Sequence, residues 1–140
     1  MGNVDVVRKV EEAWRSHNLD SIDDLFAPDF QAHTPGSEAL PRGIDGAKMA
    51  HQSSMQAFPD RENEIHEIFG EGDYVVSHVS MSGTNTGGLP WFGIPANQAR
   101  IQDVNWITVF RLEDGKVKET WATMEVPKLM QQLGAMPGGM

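Results

Sequence analysis

The periodicity of the apolar residues changes once along the chain, and that change constrains the fold more than any other feature. Over residues 4–17, Val6, Val7, Val10, Ala13 and Trp14 recur at helical spacing with charges between them, and Asn3 can cap the run. The stretch "NLDSIDDLFAPDF" predicts a short second helix carrying Ile22, Leu25 and Phe26 and broken by Pro28. "QAHTPGSEALPRG" is rich in Gly and Pro and predicts a loop, and a third helix is expected over 45–57. Beyond "FPD" the period falls to about two, the alternation of strands. "EIHEIFGEGDYVVSHVSMSGTNTG" predicts two strands turning near Asp73, and "RIQDVNWITVFRLEDGKVKETWATM" predicts a hairpin with "EDGK" as its turn. The long loop "GGLPWFGIPANQ" separates them, a last helix is expected over 127–133, and a loose tail over 135–140. Helices first and antiparallel strands afterwards imply an α+β fold, one domain over 1–140, with helices closing one face of a strongly curved sheet around a conical hydrophobic pocket.

Charge and composition narrow the partners. Twenty acidic and 11 basic residues give a formal net charge of −9, and the basic residues are scattered singly. No stripe is available to neutralise phosphates, so nucleic acid is not an expected partner. No apolar run approaches the ~20 residues that span a bilayer, and "MGNVDVVRKVEEAW" lacks the apolar core of a signal peptide. A cytoplasmic enzyme without membrane contact is the expectation. The chain has no cysteine, which removes disulfides, thiolate nucleophiles and cysteine metal sites. The spacings H-x-H, H-E-x-x-H and E-x-x-H are absent, so no metal is expected. Lys9, Lys48, Lys116 and Lys118 fall on polar faces or at a turn, which disfavours Schiff-base chemistry.

Several residues are candidates for a site. In a regular strand Val117, Glu119, Trp121, Thr123 and Glu125 share a face, and the bulk of Trp121 suggests that it looks inward. Glu125 would then enter the pocket where burial raises its pKa and the start of the last helix lowers it. The alternative is an exposed Glu that favours the helix start. His51 lies in a stripe with Ala47, Met55 and Phe58, as a satisfied core residue or as a pocket residue. His33 precedes a turn, and Asn105 is polar within an apolar strand, in phase with Ile101, Ile107 and Val109. Trp14, Trp106 and Trp121 are core residues by default and, with Met55, candidates for an apolar pocket wall. Trp91 and Phe92 sit in the long loop, where paired aromatics suit a lid or an interface.

"FPDRENEIHEIFGEGDYVV", "GTNTG", "VFRLEDGKVKETW" and "QQLGA", in this order, resemble the SnoaL-like polyketide cyclases over roughly 4–135. These belong to the cone-shaped α+β barrel superfamily that includes ketosteroid isomerase. The resemblance implies a cofactor-independent cyclase or isomerase that closes rings on carbonyl-rich hydrophobic molecules by intramolecular aldol chemistry. A family aspartate acts there as general acid/base, and its position is occupied here by Glu125, while Thr120 stands where the family often has His. The resemblance further implies that His51 and Asn105 steady an enolate, that His33 assists protonation of the new alkoxide at the pocket rim, and that two or four copies associate through the open sheet face. The epoxide hydrolases of this superfamily use an Asp-Arg-Asp set, and no Arg lies in phase near Asn105. The rivals are a double-bond isomerase or lyase with the same base, and a ligand-binding domain without catalysis.

Overall fold

A computed structural model describes residues 2–34 and 40–135, without the side chain of Trp91. Helix α1, Asn3–Ser16, leads through a 3-10 turn, Leu19–Leu25, into strand β1, Phe26–His33. Helix α2, Ile44–Ala57, precedes β2, Glu62–Glu71, and β3, Tyr74–Thr84. A single 3-10 turn, Pro90–Phe92, interrupts the long loop before β4, Arg100–Glu113, and β5, Lys116–Met124, and α3, Val126–Gln132, follows. The sheet order is β1-β5-β4-β3-β2, with β1 and β5 parallel and every other pair antiparallel. The α+β expectation holds. The proposed tail lies almost wholly at 136–140, outside the described residues, as does part of the loop before α2.

Where the sequence predicts the end of a helix followed by loop, the structure has strand β1. Pro28 cannot continue a helix, and it fits an edge strand, where a missing N–H leaves no ladder bond open. β1 pairs only with β5 and holds that edge. The preceding segment is accordingly a 3-10 turn rather than an α-helix.

Two apolar clusters hold the layers together. Val6, Val7 and Val10 of α1 pack with Ile22, Phe26, Phe30, Val75, Phe110, Leu112 and Val117 at one end. Phe58, Met81, Leu89, Ile101, Val104, Leu129 and Leu133 form the other beneath α3 and the long loop. The first turn of α2 packs closely on the segment that leads into it, at Gly46. A methyl group there would stand 1.9 Å from the Pro41 carbonyl oxygen. Gly46→Ala is expected to cost about 2 kcal/mol or more, because backbone rather than a mobile side chain must give way. Thermal unfolding of that variant should show a midpoint lower by at least about 5 °C.

The strands are not regular, and their bulges decide what faces inward. Val117 pairs with Leu112 and Glu119 with Arg111, which leaves Lys118 as an extra residue in β5. Met81 pairs with Val104 and Gly83 with Ile101, so β4 carries an extra residue beside Asp103, whose φ is 52°. Each insertion moves the following side chains to the opposite face.

Candidate active site

A cavity of about 1020 Å³ lies between the two clusters. Its apolar wall includes Trp14, Phe26, Phe30, Trp106, Phe110 and Phe92. Trp14 and Trp106, core residues by default in the sequence, line the cavity, and Phe92 of the long loop lines it too.

A polar group in the wall is built from α1, α2 and the turn after α2. Glu11 lies on the buried stripe of α1, four residues after Val7, and is 8% exposed. Burial raises its pKa to about 7, against the opposing effects of the Ser77 hydroxyl and the Arg61 charge. The Ser77 oxygen lies near enough to exert that effect yet has no partner at full hydrogen-bond geometry. Arg61 enters because its backbone N–H closes a turn onto the Phe58 carbonyl at 3.0 Å. One guanidinium nitrogen donates to Ser54 Oγ at 2.6 Å and the other to His51 Nδ1 at 3.3 Å. Burial lowers the Arg61 pKa to about 10, with Glu11 opposing.

His51 is buried in this wall, and its ring stacks on Trp14 with centroids 5.0 Å apart. Burial, the Arg61 charge and His17 push its pKa down to about 3. A guanidinium can only donate, so Nδ1 of His51 is the bare nitrogen. Nε2 then carries the hydrogen and donates to His17 Nδ1 at 3.2 Å. His51 is a neutral support for Arg61 rather than a free donor to a ligand.

Glu125, His33 and Asn105 do not join this group. After the bulge at Lys118 the cavity side of β5 carries Thr120, Ala122 and Met124, and Trp121 is 39% exposed on the other face. Trp121 is thus no wall residue. Glu125 occupies the N-cap position of α3, without a side-chain bond to the helix N–H groups, outside the cavity wall and with its side chain 42% exposed. Asn105 Nδ2 donates to its Oε1 at 2.8 Å, and Lys128 lies 3.5 Å from its Oε2. Those contacts, that of Asn105 above all, lower its pKa, the opposite of a base poised near neutrality. Asn105 itself points outward because of the bulge beside Asp103, and its Oδ1 accepts from His78 Nε2 at 2.8 Å. Wall residues on β4 are instead Trp106, Thr108 and Phe110. His33 borders the cavity, but its ring stacks on Trp121 with centroids 5.4 Å apart, and its Nε2 donates to Glu119 at 2.6 Å.

Met55 is half-buried and outside the wall. Steps of four residues drift by about 40° around a helix, so the cavity face of α2 follows Ala47, Ala50, His51 and Ser54 instead. The Trp91 side chain lies outside the described residues. Among the described residues no group of three His, Cys, Asp or Glu side chains could hold a metal ion. Among the described residues no helix is long and apolar enough to cross a membrane. Because Glu125 lies outside the cavity, Glu125→Gln is expected to leave turnover within about threefold of the parent, as measured by steady-state kinetics.

Glu11 and Arg61 are absent from the sequence reading. Glu11 left a signal: it is a charge within an apolar stripe, three residues before Trp14. Arg61 left none, since "FPDREN" reads as an ordinary polar turn.

The comparisons agree with this architecture. The family description that matches is the SnoaL-like polyketide cyclase, over residues 4–133. No curated protein matches the chain. TsrD from Streptomyces laurentii has a similar structure at 27% identity, with a TM-score of 0.81 and 94% of each chain covered. IdmH from Streptomyces antibioticus, a candidate polyketide cyclase, is 25% identical with a TM-score of 0.79, covering 96% of this chain and 99% of its own. AclR from Streptomyces galilaeus, a candidate hydroxylase, shares the fold at 24% identity, with a TM-score of 0.77 and coverages of 97% and 87%. With its helices on one face of a mostly antiparallel sheet and the family match over nearly its whole length, this chain belongs to the SnoaL-like polyketide cyclase family.

Proposed function

We propose that this protein is a cofactor-independent cyclase or isomerase that moves a proton on a carbonyl-rich, hydrophobic, polyketide-like small molecule. The observation that carries the reading is Glu11, a carboxyl group in the wall of a large apolar cavity with a pKa of about 7. A base of that strength can take a C–H proton flanked by carbonyls and return it elsewhere. Glu11 removes the proton and the electron pair moves onto the carbonyl oxygen. Arg61 faces the charge that develops there, His51 and Ser54 hold the guanidinium, and the aromatic wall folds the substrate towards ring closure. Glu125 has no part in this scheme. The wall holds one carboxylate among the described residues, which leaves an Asp-Arg-Asp epoxide hydrolase without support.

The reading is tested by incubating fused-ring β-diketones with the protein in D₂O and following deuterium at the carbon between the carbonyls by NMR. Catalysed exchange that disappears in Glu11→Gln supports it, and equal exchange in the two proteins ends it. A binding domain without catalysis would bind the diketone and exchange nothing.

Association of two copies through the outer sheet face is part of the same proposal. Phe69, Tyr74, Ile107 and Trp121 are exposed, the last three on that face beside the stacked His66 and His78 rings. Light scattering should give twice the monomer mass, falling to one for Trp121→Glu.

A further inference from the structure

The charge arrangement of the cavity specifies the ionic form of what it binds. The Arg61 guanidinium has two side-chain partners, the Ser54 hydroxyl at 2.6 Å and His51 Nδ1 at 3.3 Å, and both are neutral. Among the described residues no carboxylate forms an ion pair with it, and Glu11 acts on it only through space. Arg61 is half-buried, and withdrawing a cation from water without a counter-ion is costly, so such guanidinium groups are ordinarily paired. Glu11, the one carboxyl group in the described wall, is near enough to matter and too far to pair. When Glu11 holds its proton, the cavity contains an uncompensated positive charge. His51 cannot add to or remove that charge, because Arg61 donates to its bare nitrogen and burial keeps it neutral. Of the other ionisable residues bordering the cavity, His33 is held by Glu119, and Arg42 is exposed to solvent at the rim and donates to Gln31.

The walls describe the rest of the ligand. Trp14 and His51 present nearly parallel rings, 23° apart, and Phe26, Phe30, Trp106 and Phe110 continue the aromatic surface. A volume of about 1020 Å³ is far more than a single ring needs and suits several fused rings.

We propose that the cavity binds its ligand as an oxyanion, the ionised form of an enol or acidic phenol on a planar fused-ring body, with the negative oxygen on Arg61 and a proton on Glu11. The inference rests on the acid/base reading above and adds the ligand class and its charge. When a neutral enol enters, its O–H bond breaks and an O–H bond forms on the Glu11 carboxylate. The electron pair stays on the ligand oxygen, so one negative charge passes from Glu11 to the ligand and the net charge is unchanged. When the ligand arrives already ionised, Glu11 must bring a proton from solution.

The test uses a nitronaphthol that is ionised at neutral pH, with its methyl ether as the neutral counterpart, followed by tryptophan quenching and by absorbance. The phenolate is expected to bind roughly 30-fold more tightly than the ether and to keep its phenolate spectrum when bound. Its affinity should be level just below pH 7 and fall about tenfold per pH unit above, because the bound form needs protonated Glu11. Glu11→Gln should keep the affinity and abolish the fall. Arg61→Met and Arg61→Gln should both erase the preference while still binding the ether, which also shows that they fold.

Equal affinity for phenolate and ether, a pH slope retained in Glu11→Gln, or a preference surviving both Arg61 variants would overturn the proposal. Tighter binding of a naphthoate than of the nitronaphthol would overturn the enolic assignment. The two readings fail separately. Glu11-dependent deuterium exchange without a phenolate preference sinks only this inference, and a preference without Glu11-dependent exchange sinks only the catalytic one.

Discussion

Glu11→Gln is expected to lower turnover by about 10²–10⁴-fold, the usual contribution of a positioned general base. The variant keeps the shape of the side chain and loses the exchangeable proton site. In the parent, kcat/KM should rise with pH to a plateau with a midpoint near 7, set by the carboxyl group that burial raises. The residual rate of the variant should lack that midpoint. Stability gives a second, independent signal from the same residue. The folded-state pKa, about 7, exceeds the ordinary value of 4.5, so the folded protein binds more protons than the unfolded chain between those limits. Stability from this group is present below pH 4.5 and is lost as pH rises through about 7. At 1.36 kcal/mol per pH unit the loss amounts to about 3 kcal/mol. Glu11→Gln removes it, so the variant should gain on the parent between pH 5 and 8 by on the order of 10 °C in Tm. His51 titrates with the opposite sign and is common to both proteins, so it cancels in the difference. Calorimetry across that range checks the sign, and a constant difference in Tm would contradict a buried, titrating Glu11.

Arg61→Met should have the other large effect, a fall in turnover of about 10²–10³-fold, in the range found when a preorganised oxyanion donor is removed. Methionine fills much of the volume and carries no charge. Arg61 lowers the pKa values of both Glu11 and His51 by its charge. Without it both should rise, so the kcat/KM midpoint moves above 7 as well as the plateau falling. An arginine that only tuned Glu11 through its charge would move the midpoint and leave the plateau near that of the parent. The pH profile of the purified variant distinguishes these outcomes.

The layering of this protein was legible in its sequence because it depends on periodicity. The stripe of Val6, Val7 and Val10 marks α1, and the alternation from "EIHEIF" onward marks the antiparallel strands. Strand β1 was hidden because Pro28 carries the same warning in a broken helix and in an edge strand. The site was harder to read, and the reason lies in two extra residues. Counting by twos from buried Val117 leads to Trp121 and Glu125, and the count fails at Lys118. The same count from buried Ile101 leads to Asn105, and it fails beside Asp103. Nothing in the composition of either strand marks those positions. Glu11 could have been found by treating any carboxyl group inside an apolar stripe as a candidate. Arg61 could not, since only the turn onto Phe58 and the company of Ser54 and His51 bring it inside.

The bulge at Lys118 makes the inner surface of β5 editable without touching the residues that line it. Deleting that one amino acid would put the ladder back in step and rotate Trp121 and Thr123 into the hollow, while Thr120 and Ala122 turned to the outside. A chain of this architecture can therefore exchange an entire row of its ligand-facing lining through one codon gained or lost. Homologues that differ in length at this point should be expected to prefer differently shaped guests even where every aligned letter is the same.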